Sequence, residues 1–223
     1  MRLVLSSFFL CLFFICAPVF GENFYKEYTV NVSGIKIGEL GWEININKKK
    51  YSNKISLKSK GLLSGIYRFK GEYFSEGYVI NNNLKPIKYN HFWKTKKTTK
   101  KMDLVFKDGK LKSLIQTPVE KEHLRINVFD IKYNKDPLTA FLQIMLGDKS
   151  TLVLDGRRSY KMNAVLNNNT NETAIEVSNY FNLWADHKRS KFEKITFEKK
   201  DGGLFPLKIN IHFDGRVFRL EQI

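Results

Sequence analysis

The sequence contains very little cysteine, and all of it lies at one end. Cys11 and Cys16 are the only two in 223 residues, and both fall within the first 21. Beyond residue 21, the chain therefore excludes disulfide frameworks, thiol catalysis and cysteine metal sites together. A domain of about 200 residues can bury enough apolar surface to be stable without such cross-links.

Histidine is also scarce, and no catalytic or metal-binding motif is present. A metal site requires ligands that converge, often at short sequence spacing, but the histidines are scattered. No G-x-S-x-G nucleophile elbow and no phosphate-binding loop occurs. Asp186 and His187 would project to opposite faces of a strand, and Asp136 and Asp155 have the structural roles described below. We therefore predict no enzymatic activity, no metal site and no cofactor. The histidines are His91, His123, His187 and His212.

Long apolar runs are confined to the N-terminus. Leu3–Ile15 is apolar apart from two serines, follows Arg2 and precedes the helix-breaking Pro18. At about 13 residues, this run is shorter than the ~20 required to cross a bilayer. Residues small enough for a cleavage site lead to Gly21, so residues 1–21 are predicted to be a secretory signal peptide cut after that glycine. A retained membrane anchor is the alternative.

Removal of that segment leaves residues 22–223. No internal repeat, low-complexity linker or shift in composition divides them. We therefore predict a single antiparallel β domain. The signal peptide directs it across the inner membrane to the periplasm of a Gram-negative bacterium, where we expect a monomer.

Acidic residues are outnumbered, 22 against 38 lysines and arginines, so the formal net charge is +16. One explanation is an anionic partner such as lipopolysaccharide, anionic lipid or nucleic acid; the other is an AT-rich genome, which favours Lys, Asn and Ile codons. Secretion argues against nucleic acid, and none is expected as a partner. The candidate contact with an anionic envelope surface lies in the lysine-rich segment Lys94–Lys101, for which a solvated hairpin end is the alternative. Its candidate residues are Lys96, Lys97, Lys100 and Lys101.

The remaining chain consists of short alternating stretches separated by turn signals. Trp42–Ile46 alternates apolar and polar residues, the pattern of a half-buried strand. Turn signals such as Asp-Gly at residues 108–109 recur roughly every 8–12 positions. About a dozen strands predict a mainly β fold, a single curled antiparallel sheet that forms a barrel or half-barrel. Within Val119–Lys132, we expect a loop and a short strand around Ile126 and Val128.

Residues 136–147 depart from that pattern and predict one short α-helix. Asp136 is placed to cap the first turn, and Pro137 suits the N1 position. Apolar residues follow at helical spacing, and Gly147 ends the stretch. A helix of about three turns is not stable alone in water, so we expect it to pack against the sheet. The apolar stripe comprises Leu138, Phe141, Leu142, Met145 and Leu146.

A hairpin is expected directly after the helix. Leu152–Leu154 leads into Asp155-Gly156, the dipeptide preferred in type I′ turns. Of Arg157 and Arg158, we expect one to face the sheet and the other to face solvent. The inward arginine would pair with a carboxylate or meet a ligand head group. Tyr160 is expected on the same side as Arg158.

Aromatic residues are abundant, with 18 Phe, 10 Tyr and 3 Trp. Rings on the concave face of a wide or open sheet, beside the helix, would form a groove for an acyl chain or a sugar. An ordinary aromatic core is the alternative. The candidate ligand-binding residues are Trp93, Phe141, Met145, Arg157, Arg158 and Tyr160.

Five elements that together span nearly the whole chain after residue 21 resemble a known family. The Asp-Pro helix start, followed by the Asp-Gly-Arg-Arg-x-Tyr hairpin, is the most specific part. The family is that of the bacterial envelope proteins grouped as domain of unknown function 3108. The resemblance implies a secreted protein with this fold and no assigned reaction. The elements are Tyr28–Val30, Gly34–Glu39, Asp136–Ala140, Asp155–Tyr160 and Pro206.

The sequence thus predicts a non-enzymatic periplasmic protein that binds a lipid or other amphiphile in a groove of the curved sheet and serves envelope maintenance. The alternative is a structural or interaction protein that docks on the envelope, or on a partner, through its basic surface. A hydrolase with carboxylates from distant strands would require a polar cleft.

Overall fold

The computed structural model describes residues 22–65, 68–130, 132, 135–167, 170, 172–184, 192–200 and 202–223. The predicted signal peptide, together with Asp186 and His187, lies outside these residues. The described chain contains one α-helix, α1 (Pro137–Met145), and a short 3₁₀ helix (Leu62–Gly65). Its strands are β1 (Glu22–Val32), β2 (Ile35–Ile46), β3 (Lys50–Ser59), β4 (Phe69–Ile80), β5 (Asn83–Thr95), β6 (Thr99–Lys107), β7 (Lys110–Thr117), β8 (Ser150–Leu154), β9 (Arg158–Asn167), β10 (Glu172–Asn182), β11 (Phe192–Lys199), β12 (Pro206–Phe213) and β13 (Arg216–Gln222).

All of these strands belong to one antiparallel sheet. Strands adjacent in sequence lie side by side, and β1 additionally pairs with β13. That pairing runs from Tyr28 opposite Gln222 to Val32 opposite Phe218. The sheet edges are therefore β7 and β8, from the middle of the chain, and no pairing between these two strands closes the sheet in the described structure. The predicted mainly β class with one large antiparallel sheet is confirmed, in its open form.

The hairpin turns form largely as the sequence predicts. Asp108 and Gly109 have φ values of +54° and +71°, the two left-handed residues of a type I′ turn. The hairpin predicted at Asp155-Gly156 also forms, but its predicted turn type is wrong. Only Gly156 has a positive φ there, +86°. Asp155 Oδ1 instead accepts hydrogen bonds from the N–H groups of Arg157 and Arg158, so a side chain closes the loop.

The segment after β7 crosses from one edge of the sheet to the other. The short strand predicted around Ile126 and Val128 does not form. In the described part of this segment, turns alternate with isolated bridges at Leu124 and Lys132. Val128 is nevertheless fully buried, because it anchors the loop in a hydrophobic cluster with β5, β6 and β7. Two apolar residues two positions apart form too short a pattern to distinguish a short strand from a loop with a buried residue.

Helix α1 lies inside the curl of the sheet and packs against β3, β4, β5 and β8. Its predicted start is confirmed, because Asp136 is the N-cap and Pro137 opens the helix. Every residue of Leu138–Met145 is buried, including the polar Thr139 and Gln143. No helix in the described ranges combines the length and apolar character needed to cross a bilayer. The helix is thus buried along its length, and its buried polar residues require partners from the sheet.

Candidate functional site

A buried polar network holds the start of helix α1 to the sheet. Asp136 Oδ1 accepts hydrogen bonds from the backbone N–H groups of Leu138 and Thr139, both at 3.0 Å. Its Oδ2 accepts from Ser75 Oγ at 2.8 Å and from Thr139 Oγ1 at 2.5 Å. The Tyr51 hydroxyl lies 2.7 Å from Thr139 Oγ1. One carboxylate therefore caps the helix and joins it to β3 and β4.

The Asp136 carboxyl is fully buried. Burial raises the pKa of Asp136, whereas the hydrogen bonds from Thr139, Ser75 and Leu138 act in the opposite direction. Both carboxylate oxygens are occupied by donors from the chain itself. The group is therefore structural, because no free lone pair is directed at a ligand.

A second set of contacts joins the helix to β2 and β3. Trp42 Nε1 donates to Asn53 Oδ1 at 2.7 Å, and Asn53 Nδ2 donates to the Leu138 carbonyl at 3.2 Å. The Trp42 ring stacks on Phe141 with centroids 5.6 Å apart and meets Phe205 edge-on at 5.3 Å. These contacts fix the position of the helix, and the same aromatic side chains form part of the wall of a cavity.

That cavity lies between α1 and the inner face of the curled sheet, and its volume is about 450 Å³. Small-molecule sites typically measure ~300–1,000 Å³ and are lined mainly by apolar and aromatic side chains. Strands β2–β5 form one part of the wall and β9–β13 another, with α1 and the tip of the β8–β9 hairpin between them. The apolar lining includes Trp42, Leu57, Phe141, Ile209, Ile211 and Leu220.

Polar side chains also line the cavity. Burial raises the pKa of Tyr73 to about 12 and raises the pKa values of Tyr89 and Tyr160 well above that of an ordinary tyrosine. These phenols therefore stay protonated at any physiological pH and keep their O–H donors. Three charged residues, one of them Arg158, accompany them. The complete polar set is Tyr73, Tyr89, Asp155, Arg158, Tyr160, Tyr180 and Glu193.

The tip of the β8–β9 hairpin inserts against the inner face of the sheet. A Cβ atom on Gly156 would collide with the side chain of Met102 on β6, and the φ of +86° is one that other residues rarely adopt, so glycine is favoured at that point. The side chains of Arg157 and Arg158 are 21% and 23% exposed, and each meets a carboxylate. Arg157 Nη2 lies 3.3 Å from Glu120 Oε1.

The expectation that one of these two arginines faces solvent is therefore wrong. Arg158 lies inside the cavity wall with its Nη1 3.6 Å from Asp155 Oδ2. Glu120, in the segment that crosses between the sheet edges, reaches the other arginine. The alternation rule assumes that one face of a strand meets water, and here both faces meet protein.

The predicted ligand-binding residues have different surroundings. Met145 lies in the core around α1, outside the cavity lining, and its carbonyl accepts from Lys199 Nζ at 2.7 Å. Trp93 stacks on Phe69 with ring centroids 5.6 Å apart and also lies outside that lining. Arg157 is engaged by its ion pair and does not line the cavity either. The candidates that do line it are Phe141, Arg158 and Tyr160.

Sequence reasoning missed most of the lining. Tyr73 and Tyr89 come from β4 and β5, whereas Ile209 and Leu220 come from β12 and β13 near the other end of the chain. Alternation along β5 does indicate that Tyr89 faces inward. Nothing local indicates which distant residues it meets, because that depends on how the sheet curls.

Among the described residues, no group of three or more His, Cys, Asp or Glu could hold a metal ion. The His91 ring stacks on Tyr73 with centroids 4.6 Å apart. Burial, together with the charges of Arg157 and Lys100, lowers the pKa of His91 to about 4, so the imidazole is neutral at neutral pH.

The lysine-rich segment forms the β5–β6 hairpin end, and all four of its candidate residues are exposed. Lys96 Nζ donates to the Gly65 carbonyl at 2.6 Å, and Lys101 Nζ lies 5.9 Å from the centroid of the Phe92 ring. Lys97 and Lys100 are the more freely available charges. The segment is outside the cavity lining, so the two candidate surfaces are separate.

Comparison with known proteins supports the fold and the family. A solved structure, the crystal structure of a beta-barrel-like protein of domain of unknown function DUF1849 from Brucella abortus, is similar with a TM-score of 0.50. The similarity covers 92% of this chain and 96% of that one at 11% sequence identity, and it shows the fold alone. No curated protein matches the sequence. The family model for proteins of unknown function DUF3108 matches residues 27–179. The resemblance noted in the sequence is thereby confirmed: the chain belongs to the DUF3108 family.

Proposed function

We propose that this protein binds a lipid or other amphiphile in the cavity of its curled sheet, without catalysing a reaction. The observation that carries the proposal is a cavity of about 450 Å³ with mostly apolar and aromatic walls. At ~30 Å³ per water molecule, this is the space of about 15 waters, which such walls would solvate poorly. Their replacement by an apolar chain is favourable because apolar surface leaves water.

The lining also matches an amphiphile in its distribution of polarity. Trp42, Phe141 and Leu220 offer apolar surface to a chain, while Arg158 and Glu193 carry charge. Glu193 is exposed, so the cavity meets solvent on the side where this charged residue lies. A ligand with an apolar body and a polar end would satisfy both parts of the lining.

We further propose that the protein acts as a monomer in the periplasm of a Gram-negative bacterium and serves envelope maintenance. The support is the apolar segment before Gly21 and the lack of cysteine after it. Intact-mass measurement of the protein from a periplasmic fraction tests this proposal. A mass for a chain that begins at Glu22 is expected, and a mass that includes residues 1–21 contradicts the cleavage.

Ile211→Trp is expected to abolish retention of the ligand. Ile211 lines the cavity from β12, and an indole ring there would occupy the space of the chain. Native mass spectrometry of protein purified from the periplasm, followed by lipid extraction, should show a ligand-bound mass for the unmodified protein. We expect at least a tenfold lower bound fraction in the variant, with a stability cost of at most ~1–3 kcal/mol from overpacking.

The matched control is Leu207→Trp on the same strand. Leu207 is 43% exposed and lies outside the lining, so this variant should retain the ligand. Equal retention in the two tryptophan variants would contradict binding in this cavity. A clean unliganded mass for the unmodified protein, with nothing in the lipid extract, would contradict the proposed function.

The second candidate function is docking on an anionic envelope surface through the β5–β6 hairpin end. The favouring observation is the cluster of exposed lysines there, on a chain with a net charge of +16. Such attraction is screened by salt, with a Debye length of ~10 Å at 0.1 M. It would operate at low ionic strength and disappear at high ionic strength.

Replacing Lys96, Lys97, Lys100 and Lys101 together by Gln is expected to reduce co-sedimentation with vesicles that contain anionic lipid at least tenfold at low salt. The control replaces Lys48, Lys49 and Lys54, on the β2–β3 hairpin and in β3, by the same residue. An equal loss in both variants would mean that total charge matters, and no loss in either would exclude this docking surface.

A further inference from the structure

We infer that the cavity selects a chain whose polar end accepts hydrogen bonds, as a carboxylate or an ester carbonyl does, over a chain that ends in an ammonium group. This selectivity rests on the proposed function. The inference is based on which polar groups of the lining already have a hydrogen-bond partner within the protein and which do not.

The unengaged groups of the lining are donors. Among the described residues, no hydrogen bond engages the hydroxyls of Tyr73, Tyr89 or Tyr160, although all three residues line the cavity. Arg158 is in a similar situation, because its buried Nε has no partner and its ion pair with Asp155 is long, at 3.6 Å. A buried donor such as Arg158 Nε is unfavourable without an acceptor, so a ligand that supplies an acceptor there gains binding energy.

The carboxylates of the lining are, in contrast, already occupied. Asp155 Oδ1 accepts from the N–H groups of Arg157 and Arg158 at 2.8 Å and 2.7 Å, and its Oδ2 faces the Arg158 guanidinium. Glu193 Oε1 accepts from the Gly215 N–H at 2.8 Å on the exposed side. Phenol oxygens can accept as well as donate, but a guanidinium only donates. Among the described residues of the lining, Arg158 is therefore the polar group that can only donate, and its buried Nε has no partner.

These donors line one cavity. Tyr73, Tyr89, Tyr160 and Arg158 all form part of the wall of the same space of about 450 Å³. A single polar head group placed beside Tyr160 would thus meet several donors, while its chain extends along the apolar lining.

The test compares three probes that share one chain: dodecanoate, methyl dodecanoate and dodecylammonium. Calorimetric titration uses the purified protein after co-purified lipid has been removed. We expect the carboxylate, the ester or both to bind at least tenfold more tightly than the ammonium, since a hydrogen bond to a charged or buried donor corresponds to roughly that factor. Tight binding of dodecanoate alone indicates that the natural ligand is a free acid. Tight binding of methyl dodecanoate alone indicates that the natural ligand is an acyl ester. Either result supports the inference.

Equal or tighter binding of dodecylammonium overturns the inference but leaves the proposed function standing. Failure of all three probes to bind overturns both. Because the net charge is +16, dodecanoate can also bind to the outer surface. The Ile211→Trp variant, whose cavity is filled, measures that background.

Tyr160→Phe removes one hydroxyl and nothing else. We expect roughly fivefold weaker binding of the preferred probe, with dodecylammonium unchanged and the melting temperature preserved, because this hydroxyl has no partner among the described residues. Tyr89→Phe serves as an independent second variant with the same expectation. The matched control is Tyr78→Phe, since Tyr78 is 47% exposed and outside the lining. Unchanged affinities in both cavity variants would overturn the inference.

Discussion

Asp136→Ala is expected to lower the free energy of unfolding by at least ~3 kcal/mol. The substitution removes the N-cap of α1, which alone contributes ~0.5–2 kcal/mol. It also removes the acceptor that the buried hydroxyls of Ser75 and Thr139 share. These two hydroxyls lie 2.7 Å apart, so one can still donate to the other, but at least one buried donor loses its partner. That loss costs a further ~1–3 kcal/mol. Urea-induced unfolding followed by circular dichroism measures the loss.

The matched control for this prediction is Asp148→Ala, just beyond the other end of the helix. Asp148 accepts one hydrogen bond, from Gln143 Nε2 at 3.2 Å, and is only half-buried. Its replacement should cost less than ~1 kcal/mol. Asp136→Asn should fall between the two alanine variants, because its amide oxygen can still accept from the first turn. Similar losses for Asp136→Ala and Asp148→Ala would show that the network does not fix the helix.

Trp42→Ala is expected to cost about 3–5 kcal/mol, the usual range for a fully buried aromatic residue. Trp42 is 1% exposed, stacks on Phe141 and donates to Asn53 Oδ1. Its removal enlarges the ligand cavity and leaves a buried amide oxygen without its donor. We therefore expect weaker ligand retention as well as lower stability, measured on the same samples by native mass spectrometry and denaturant unfolding.

Trp93→Ala separates the two effects. Trp93 is half-buried and stacks on Phe69 outside the cavity, so its loss should cost about 1–2 kcal/mol and leave ligand retention unchanged. If Trp42→Ala does not fold, Trp42→Phe retains most of the volume and tests the hydrogen bond alone. A drop in retention with Trp93→Ala, or none with Trp42→Ala, would contradict the position of the site described here.

The parts of the structure that could be predicted depend on neighbours in sequence. The cap of Asp136, the first-turn Pro137 and the type I′ turn at Asp108-Gly109 each involve a few consecutive residues. Their geometry follows from local sterics and local hydrogen bonds. The turn at Asp155 shows the limit of this approach. The same dipeptide adopts a different turn there because its side chain finds donors in the residues that follow.

The alternation of apolar residues likewise indicates which side of a strand is buried, but not what covers it. It identified Trp42–Ile46 as part of a half-buried strand, in which Trp42 and Ile44 are buried. It failed for Arg157 and Arg158, because the hairpin tip enters the interior and protein covers both of its faces. Trp93, a predicted ligand-binding residue, stacks on Phe69 of the neighbouring strand and lies outside the cavity lining.

Local patterns along the chain were enough to predict most of the strands, the single capped helix, the positions of the hairpins and the family. The pairing of β1 with β13, the open sheet and the cavity beside α1 became visible in the folded chain alone. A cavity is a gap between side chains from distant strands, so the local periodicity of the sequence does not predict it. The convergence of Tyr73, Tyr89 and Tyr160 beside Arg158 arises in the same way, from the curl of the sheet that brings its two halves together around the helix.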